Sequence, residues 1–326
     1  VHRWLIRSAI AVGLAGILAL LIAASDGGSF AFDRPDSDPT TTTAAPSLFP
    51  PLDEDGPVRA LQTGTNLVLP VTGGEPGAWQ VTTPCAEVAV ADGNPLTGAH
   101  IVIDPGHGGT EIGAVGPTGL TEAELNLDIA TRAARRLEAE GATVVLTRTS
   151  DVRVTVQTRA ELAVALEPLA FISIHHNAVP RDTAATPGSE LYHQHASGES
   201  RRLAGLLWEE MQEELGPFLD EWAVGEQPGA FPRVSGDTGD DYYGVLRRTQ
   251  GVPAVLSEAA YLSNPAEEAL LRTDEFRDAE AGAVADAVLR YVTTQDLGSG
   301  FHPPRVVESP GGGGGGTAGC EDPPLS

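Results

Sequence analysis

The runs HIVID (100–104), TVVLTR (143–148), AFISIH (170–175) and PAVLSEA (253–259) constrain the fold of this chain more than any other feature. Each is short, almost continuously apolar and rich in β-branched residues. A strand patterned this way is buried on both faces, whereas a half-solvated strand alternates. Between the runs lie stretches of roughly a dozen residues or more with helical character. The alternation predicts an α/β fold: one domain with a central, mostly parallel or mixed sheet flanked by helices. Thr121 with Glu124 marks a capping box at one helix start, Leu127, Ala130, Ala134 and Leu137 repeat at helical spacing, and Gly141 closes the helix.

The flanks differ from this core, which spans 99–294. In residues 1–25, Arg3 and Arg7 precede an uncharged apolar run from Ala9 to Ala24, the pattern of an export signal. The run of about 16 residues falls between a signal-peptide core and the ~20 residues that span a bilayer. Cleavage near Ala24 or Ser25 and retention as a membrane anchor therefore both stand, and either puts the remainder outside the cytoplasm. Residues 26–57 are rich in Pro, Thr and Asp without apolar periodicity, and are expected to form a disordered linker. In 58–98, the pieces TNLVLPV, AWQVTTPC and EVAVADG are expected to form two or three small strands preceding the core. Residues 295–326, which include a glycine run, are read as a flexible tail.

Cys85 and Cys320 are the only cysteines and flank the core. In an oxidising compartment such a pair is expected to be bonded, the alternative being two unrelated thiols. A bridge would tie the tail to the small strands across about 235 residues, worth near or above ~4 kcal/mol by chain entropy. The 45 acidic residues outnumber 20 basic ones, all arginine, for a formal charge of −25. That balance argues against a nucleic-acid partner. The acidity is spread through helices such as WEEMQEEL, as a solvated surface would have it.

In sheets of this class, ligands collect at the carboxyl ends of strands. Three polar residues meet that description: His107 after IVIDPG, His175 ending AFISI, and Glu258 ending PAVLS. Glu122 opens the helix fed by the His107 loop, where a carboxylate also suits the helix dipole. His107 sits between Gly106 and the pair Gly108 and Gly109, a sign of backbone held close to something. Two histidines and a carboxylate with an open fourth position form a common catalytic zinc set. The candidate set is His107, Glu122 and His175.

VIDPGHGG, TEAELNLDIA, FISIHHNA and PAVLSEAAYLSNPAEEALL resemble, in order and spacing, the zinc-dependent N-acetylmuramoyl-L-alanine amidases of bacterial cell-wall metabolism, with an Amidase_3-type catalytic domain. The resemblance covers about residues 100–294. It implies zinc at His107, Glu122 and His175, with Glu258 as the catalytic glutamate. It also implies an exported peptidoglycan hydrolase, secreted to the wall or anchored by the N-terminal segment. Such an enzyme cleaves the amide between N-acetylmuramic acid and L-alanine of the stem peptide, acts on peptidoglycan or muropeptides, and is expected to be a monomer. Ala260 stands where the family usually has glycine, and its methyl is expected to tighten the substrate groove.

The alternative is a catalytically silent wall-binding or regulatory protein of the same fold. Such a protein should lack a ligand or the catalytic glutamate, and here all four residues are present. His176 is expected to lie behind the ligands or face solvent. His193 and His195 alternate in ELYHQH and are expected on a solvated strand face. Arg148 and Arg159 are expected to hold loops or helix ends. The stripe Leu203, Leu206, Leu207 and Met211 is expected in the core. A Gly-x-Ser-x-Gly elbow, a P-loop and a Rossmann fingerprint are absent, which leaves serine hydrolase, nucleotidase and dehydrogenase chemistry without support.

Overall fold

A computed structural model describes residues 47–179, 188–218, 228–308 and 315–326. The proposed export signal and most of the linker lie outside the described residues. Among the described residues, no helix is long and apolar enough to cross a membrane.

Five short strands come first: β1 (Ala60–Gln62), β2 (Val68–Glu75), β3 (Ala78–Thr82), β4 (Val88–Ala91) and β5 (Asn94–Leu96). They form an antiparallel sheet in the order β4-β3-β2-β1-β5. The sequence led to two or three strands here. The two it missed, β1 and β5, are three residues each, too short to show a period.

The core follows as β6 (Ile101–Pro105), α1 (Glu122–Ala139), β7 (Val144–Leu146), α2 (Val156–Leu166), β8 (Ala170–Asn177), β9 (Glu190–His193), α3 (Gly198–Leu215), β10 (Gly229–Phe231), β11 (Arg233–Ser235), α4 (Gly244–Arg248), β12 (Ala254–Tyr261), α5 (Pro265–Leu271) and α6 (Asp274–Thr293), with β13 (Arg305–Val307) after it. The central sheet runs β10-β9-β12-β8-β6-β7 and is parallel except where β9 meets β12. Its two faces are both dry, as the continuous apolar runs require. Ile101, Ile103, Ile172 and Ile174 pack with residues of α1, α3 and α6, including Leu203, Leu207 and Met211. Val102, Phe171 and Leu256 face the other way, onto α2, α4 and the first small strands.

Helix α1 starts and stops as its sequence dictates. Thr121 Oγ1 accepts from the Glu124 amide at 3.4 Å. At the far end Gly141 takes φ +91°, while the amides of Gly141 and Ala142 bond the carbonyls of Glu138 and Leu137, closing the last turn. The buried stripe is Leu125, Ile129, Ala133 and Leu137. Leu127 is only half-buried, at the edge of that stripe.

The flanks are more ordered than their composition suggested. Phe49, near the end of the expected linker, packs into the core, and the neighbouring Pro50 carbonyl bonds His100 Nε2 at 2.6 Å. In the expected flexible tail, Phe301 packs against the core beneath the Arg201 guanidinium, and β13 pairs in parallel with β11. An aromatic ring and a Val-Val strand are enough to dock a segment whose neighbours are glycine and proline. Cys85 and Cys320 are joined by a disulfide with Cα atoms 5.6 Å apart. Beside it, Asp322 accepts from the Thr83 hydroxyl at 2.7 Å and the Cys85 amide at 2.8 Å.

Glu267, in the first turn of α5, is fully buried. One carboxylate oxygen accepts from the Tyr261 amide at 2.6 Å, and the other has no hydrogen-bond partner. Burial outweighs the amide and pushes its carboxyl from the ordinary 4.5 up to about 8. The folded state therefore holds a proton that the unfolded chain releases above pH 4.5, so stability falls as pH rises from about 4.5 towards about 8. The upper bound on the loss is on the order of 5 kcal/mol. Glu267→Gln should melt above the unsubstituted protein at pH 8, with the gap closing by pH 5. Parallel thermal melts across that range check this, and a gap independent of pH would refute it.

Candidate metal centre

The loop after β6 is shaped by backbone that side chains hold from behind. Gly106 has no Cβ because one there would overlap the His175 ring. His107 adopts φ +61°, the left-handed region that non-glycine residues enter at a cost. Two buried arginines hold this conformation. Arg148 donates to the carbonyls of Pro105, Gly106 and Ala123 at 2.9, 3.0 and 2.7 Å. Arg159 donates to the carbonyls of Pro105 and His107, both at 2.7 Å. Both thus hold a loop, as the sequence led us to expect. Arg159 also pairs with buried Asp104 at 2.6 Å. Burial opposes the Asp104 charge, but Arg159 and the Ser173 and Thr147 hydroxyls prevail and hold its carboxyl below the usual range.

His107, Glu122 and His175, distant in sequence, meet at the carboxyl end of the sheet. Glu122 Oε1 lies 2.9 Å from His175 Nδ1 and 3.2 Å from His107 Nε2, and the two rings stand edge to face with centroids 4.9 Å apart. Oε1 also accepts from the His176 amide at 3.2 Å and Asn126 Nδ2 at 3.4 Å, while Oε2 accepts from the Ala114 amide at 2.8 Å. Four nitrogens thus crowd one oxygen that has two lone pairs, an arrangement that suits a cation better than protons. One potential ligand atom from each of the three residues lies within 4.8 Å of the others. The donor set, two imidazoles and a carboxylate, is one that zinc takes.

The electrostatics agree. Burial opposes a charge on His107, but hydrogen bonds to the Glu111 and Glu122 carboxylates outweigh it and raise the imidazole to about 9. Burial dominates at His175 and pushes its imidazole down despite Glu122. Glu122, against its own burial, is held well below the usual carboxylate range by the two histidines. Metal ligands must be unprotonated imidazoles, so a bound cation would replace the His107 proton.

Glu258 lies one strand away. In the register of the sheet it pairs with His175 on β8 and with Glu190 on β9, so the three side chains leave the same face as one row. Glu258 Oε2 is buried without a hydrogen-bond partner. Burial, followed by the Glu122 and Glu190 charges, pushes its carboxyl well above the ordinary range. Ala260, two residues on, is fully exposed to neither solvent nor groove: it packs in the hydrophobic core, so its methyl does not tighten a groove.

Behind the ligands lies a buried chain that sequence reading did not assemble. His176 Nδ1 lies 2.8 Å from Asn126 Oδ1 and its Nε2 lies 3.1 Å from Glu280 Oε2. His176 is therefore behind the ligands and not facing solvent. Asn126 follows Glu122 by one helical turn, the one signal that pointed to it. His193 and His195 do not share a face, because β9 ends at His193, which is buried, while His195 is exposed beyond it.

Residues 101–290 match the N-acetylmuramoyl-L-alanine amidase family, Amidase_3. The chain belongs to this family. Among its amidase relatives, LytC of Bacillus subtilis is 34% identical over 213 residues, covering 64% of this chain and 39% of LytC. AmiC of Neisseria meningitidis is 30% identical over 279 residues, covering 76% of this chain and 65% of AmiC. The chain thus spans less than two thirds of the length of either relative. The solved structure of the amidase AmiC2 of Nostoc punctiforme is 32% identical with a TM-score of 0.50, covering 59% of this chain and 96% of that one. An amidase from Clostridium difficile 630 is 28% identical with a TM-score of 0.52, covering 60% and 97%.

The amidase fold makes the site sensitive to single methyl groups. In Gly106→Ala the new Cβ can be accommodated only if the His175 ring moves. Metal occupancy by elemental analysis is expected to fall at least about tenfold at limiting zinc, with the far-UV circular dichroism of the folded chain retained. Full occupancy in this variant would show that the loop gives way more readily than the ring.

Proposed function

We propose that this chain is an exported zinc-dependent N-acetylmuramoyl-L-alanine amidase, with 99–294 as its catalytic domain. It would hydrolyse the amide between the lactyl group of N-acetylmuramic acid and L-alanine of the stem peptide, in peptidoglycan or muropeptides. The observation that carries this reading is the convergence of His107, Glu122 and His175, with Glu258 in the same row and one of its carboxylate oxygens buried without a partner. Those three residues would hold zinc. When bound, zinc supplies Lewis-acid polarisation of a carbonyl and acidification of water.

Glu258 is the proton carrier. An amide nitrogen leaves poorly unless protonated, so the group that takes the proton from attacking water must deliver it to the departing amine. A carboxyl held above its usual range by burial and neighbouring carboxylates can do both near neutrality. Asn126 and His176 fix Glu122, while Arg148 and Arg159 fix the His107 loop. Family membership and the wall amidases among its relatives support action outside the cytoplasm; a monomer, with the 1–25 segment as signal or anchor, completes the proposal.

Incubation with purified peptidoglycan, followed by mass spectrometry of the products, tests the reading. Free stem peptides beginning with L-alanine are expected, suppressed by a chelator and restored by zinc. No release under any of these conditions would favour the silent wall-binding alternative.

A further inference from the structure

The row His175, Glu258, Glu190 does not end in solvent. Glu190 Oε2 accepts from Asn177 Nδ2 and from the Tyr192 hydroxyl, each at 2.7 Å, and Oε1 pairs with Arg305 Nη1 at 3.0 Å. Arg305 comes from β13, beyond the residues that match the family. Its partner in the register of the β11 and β13 pair is Arg233. Like charges placed directly across a strand pair are unfavourable, and basic residues are outnumbered more than two to one in this chain. The two guanidiniums are supported differently. Arg305 stacks 4.5 Å from the Phe231 ring centroid and has Glu190 as its counter-ion. Arg233 stacks 4.4 Å from that of Tyr242 and donates to the Tyr243 hydroxyl at 2.9 Å. Among the described residues, the ion pairs found include none for Arg233, and its Nε is buried without a partner.

Glu190 is thus neutralised by Arg305, and Arg233, half-buried, is left as a positive charge with no ion-pair partner among the described residues. It sits beside the row: the Tyr243 ring that it donates to packs 4.7 Å from that of Tyr192, whose hydroxyl donates to Glu190. We propose that Arg233, supported by Arg305, forms a carboxylate-binding subsite for the peptide side of the scissile amide. It would select stem peptides whose second residue carries a free α-carboxylate over those in which that group is amidated. A guanidinium binds a carboxylate through charge-assisted hydrogen bonds, stronger than those it makes to a neutral amide. The sugar side of the bond, an N-acetylated muramoyl unit joined through its lactyl amide, offers no anion, so the peptide is the side that fits. This inference rests on the amidase reading.

The test is calorimetric, on the full chain with zinc. The probes are L-alanyl-γ-D-glutamyl-L-lysine and the same peptide with the α-carboxylate as a primary amide. Neither contains a muramoyl bond, so binding is read independently of turnover. The acid is expected to bind at least about tenfold more tightly than the amide. Arg233→Gln should erase most of that preference, and Arg233→Lys should restore part of it, with melting curves showing that the variants are folded. Should Arg233→Gln not fold, Arg305→Gln is read instead, and is expected to lower the same preference. Equal affinity of the two peptides for the unsubstituted protein, no binding of either, or a preference that survives in the folded variants would overturn the subsite. Failure to cleave peptidoglycan would overturn the amidase reading alone.

Discussion

Glu258→Gln is expected to keep its zinc and lose turnover on muropeptides by about 10²–10⁴-fold, the range attributed to a positioned acid or base. The amide is nearly isosteric, and Glu258 hydrogen-bonds none of the three residues assigned to the metal in the observed contacts. It can neither accept the proton of attacking water nor return it to the leaving nitrogen. The loss should fall on kcat and on kcat/KM alike, because the proton moves only in the transition state. Elemental analysis and steady-state kinetics on the same preparation check both halves. Loss of zinc along with activity would reassign Glu258 as a ligand.

His175→Ala should behave in the opposite way, losing metal first and activity as a result. Removing an outer partner of a metal ligand costs about 10–100-fold in affinity, and removing a ligand should exceed that. The same holds for His107→Ala and Glu122→Ala, and Glu122 carries a further penalty. Without its carboxylate, the amides of Ala114 and His176 lose their acceptor and two imidazoles face each other unscreened. Competition against a chromogenic chelator measures the affinity. Zinc retained at full occupancy in His175→Ala would break the assigned set.

Four of the six strands of the central sheet were legible in the sequence because each is a short, continuous, β-branched apolar run, the pattern of a strand buried on both faces. The four residues proposed for chemistry were legible for a related reason. Strand ends and the first turn of a helix are positions where polar residues stand out against an apolar background. What was not legible depends on contacts between segments far apart in the chain. Glu280 reaches His176 across 104 residues, and Arg305 reaches Glu190 across 115. Nothing local distinguishes either from an ordinary surface charge. Ala260 misled in the same way: next to a motif it resembled a groove residue, but the register of β12 against β8 shifts between Glu258 and Tyr261, and Ala260 packs into the core instead of sharing the face of Glu258. The three-residue strands β1 and β5, and the docked Phe301, were hidden by brevity, since one or two apolar residues carry no period.

The bond between Cys85 and Cys320 turns the polypeptide between them into a closed ring that contains every residue of the candidate site. A peptide bond cut once anywhere in that ring opens it without releasing a fragment, so a nicked molecule still migrates as one species until it is reduced. Where a protease makes one such cut, His107 and Glu258 stay on one covalently joined body.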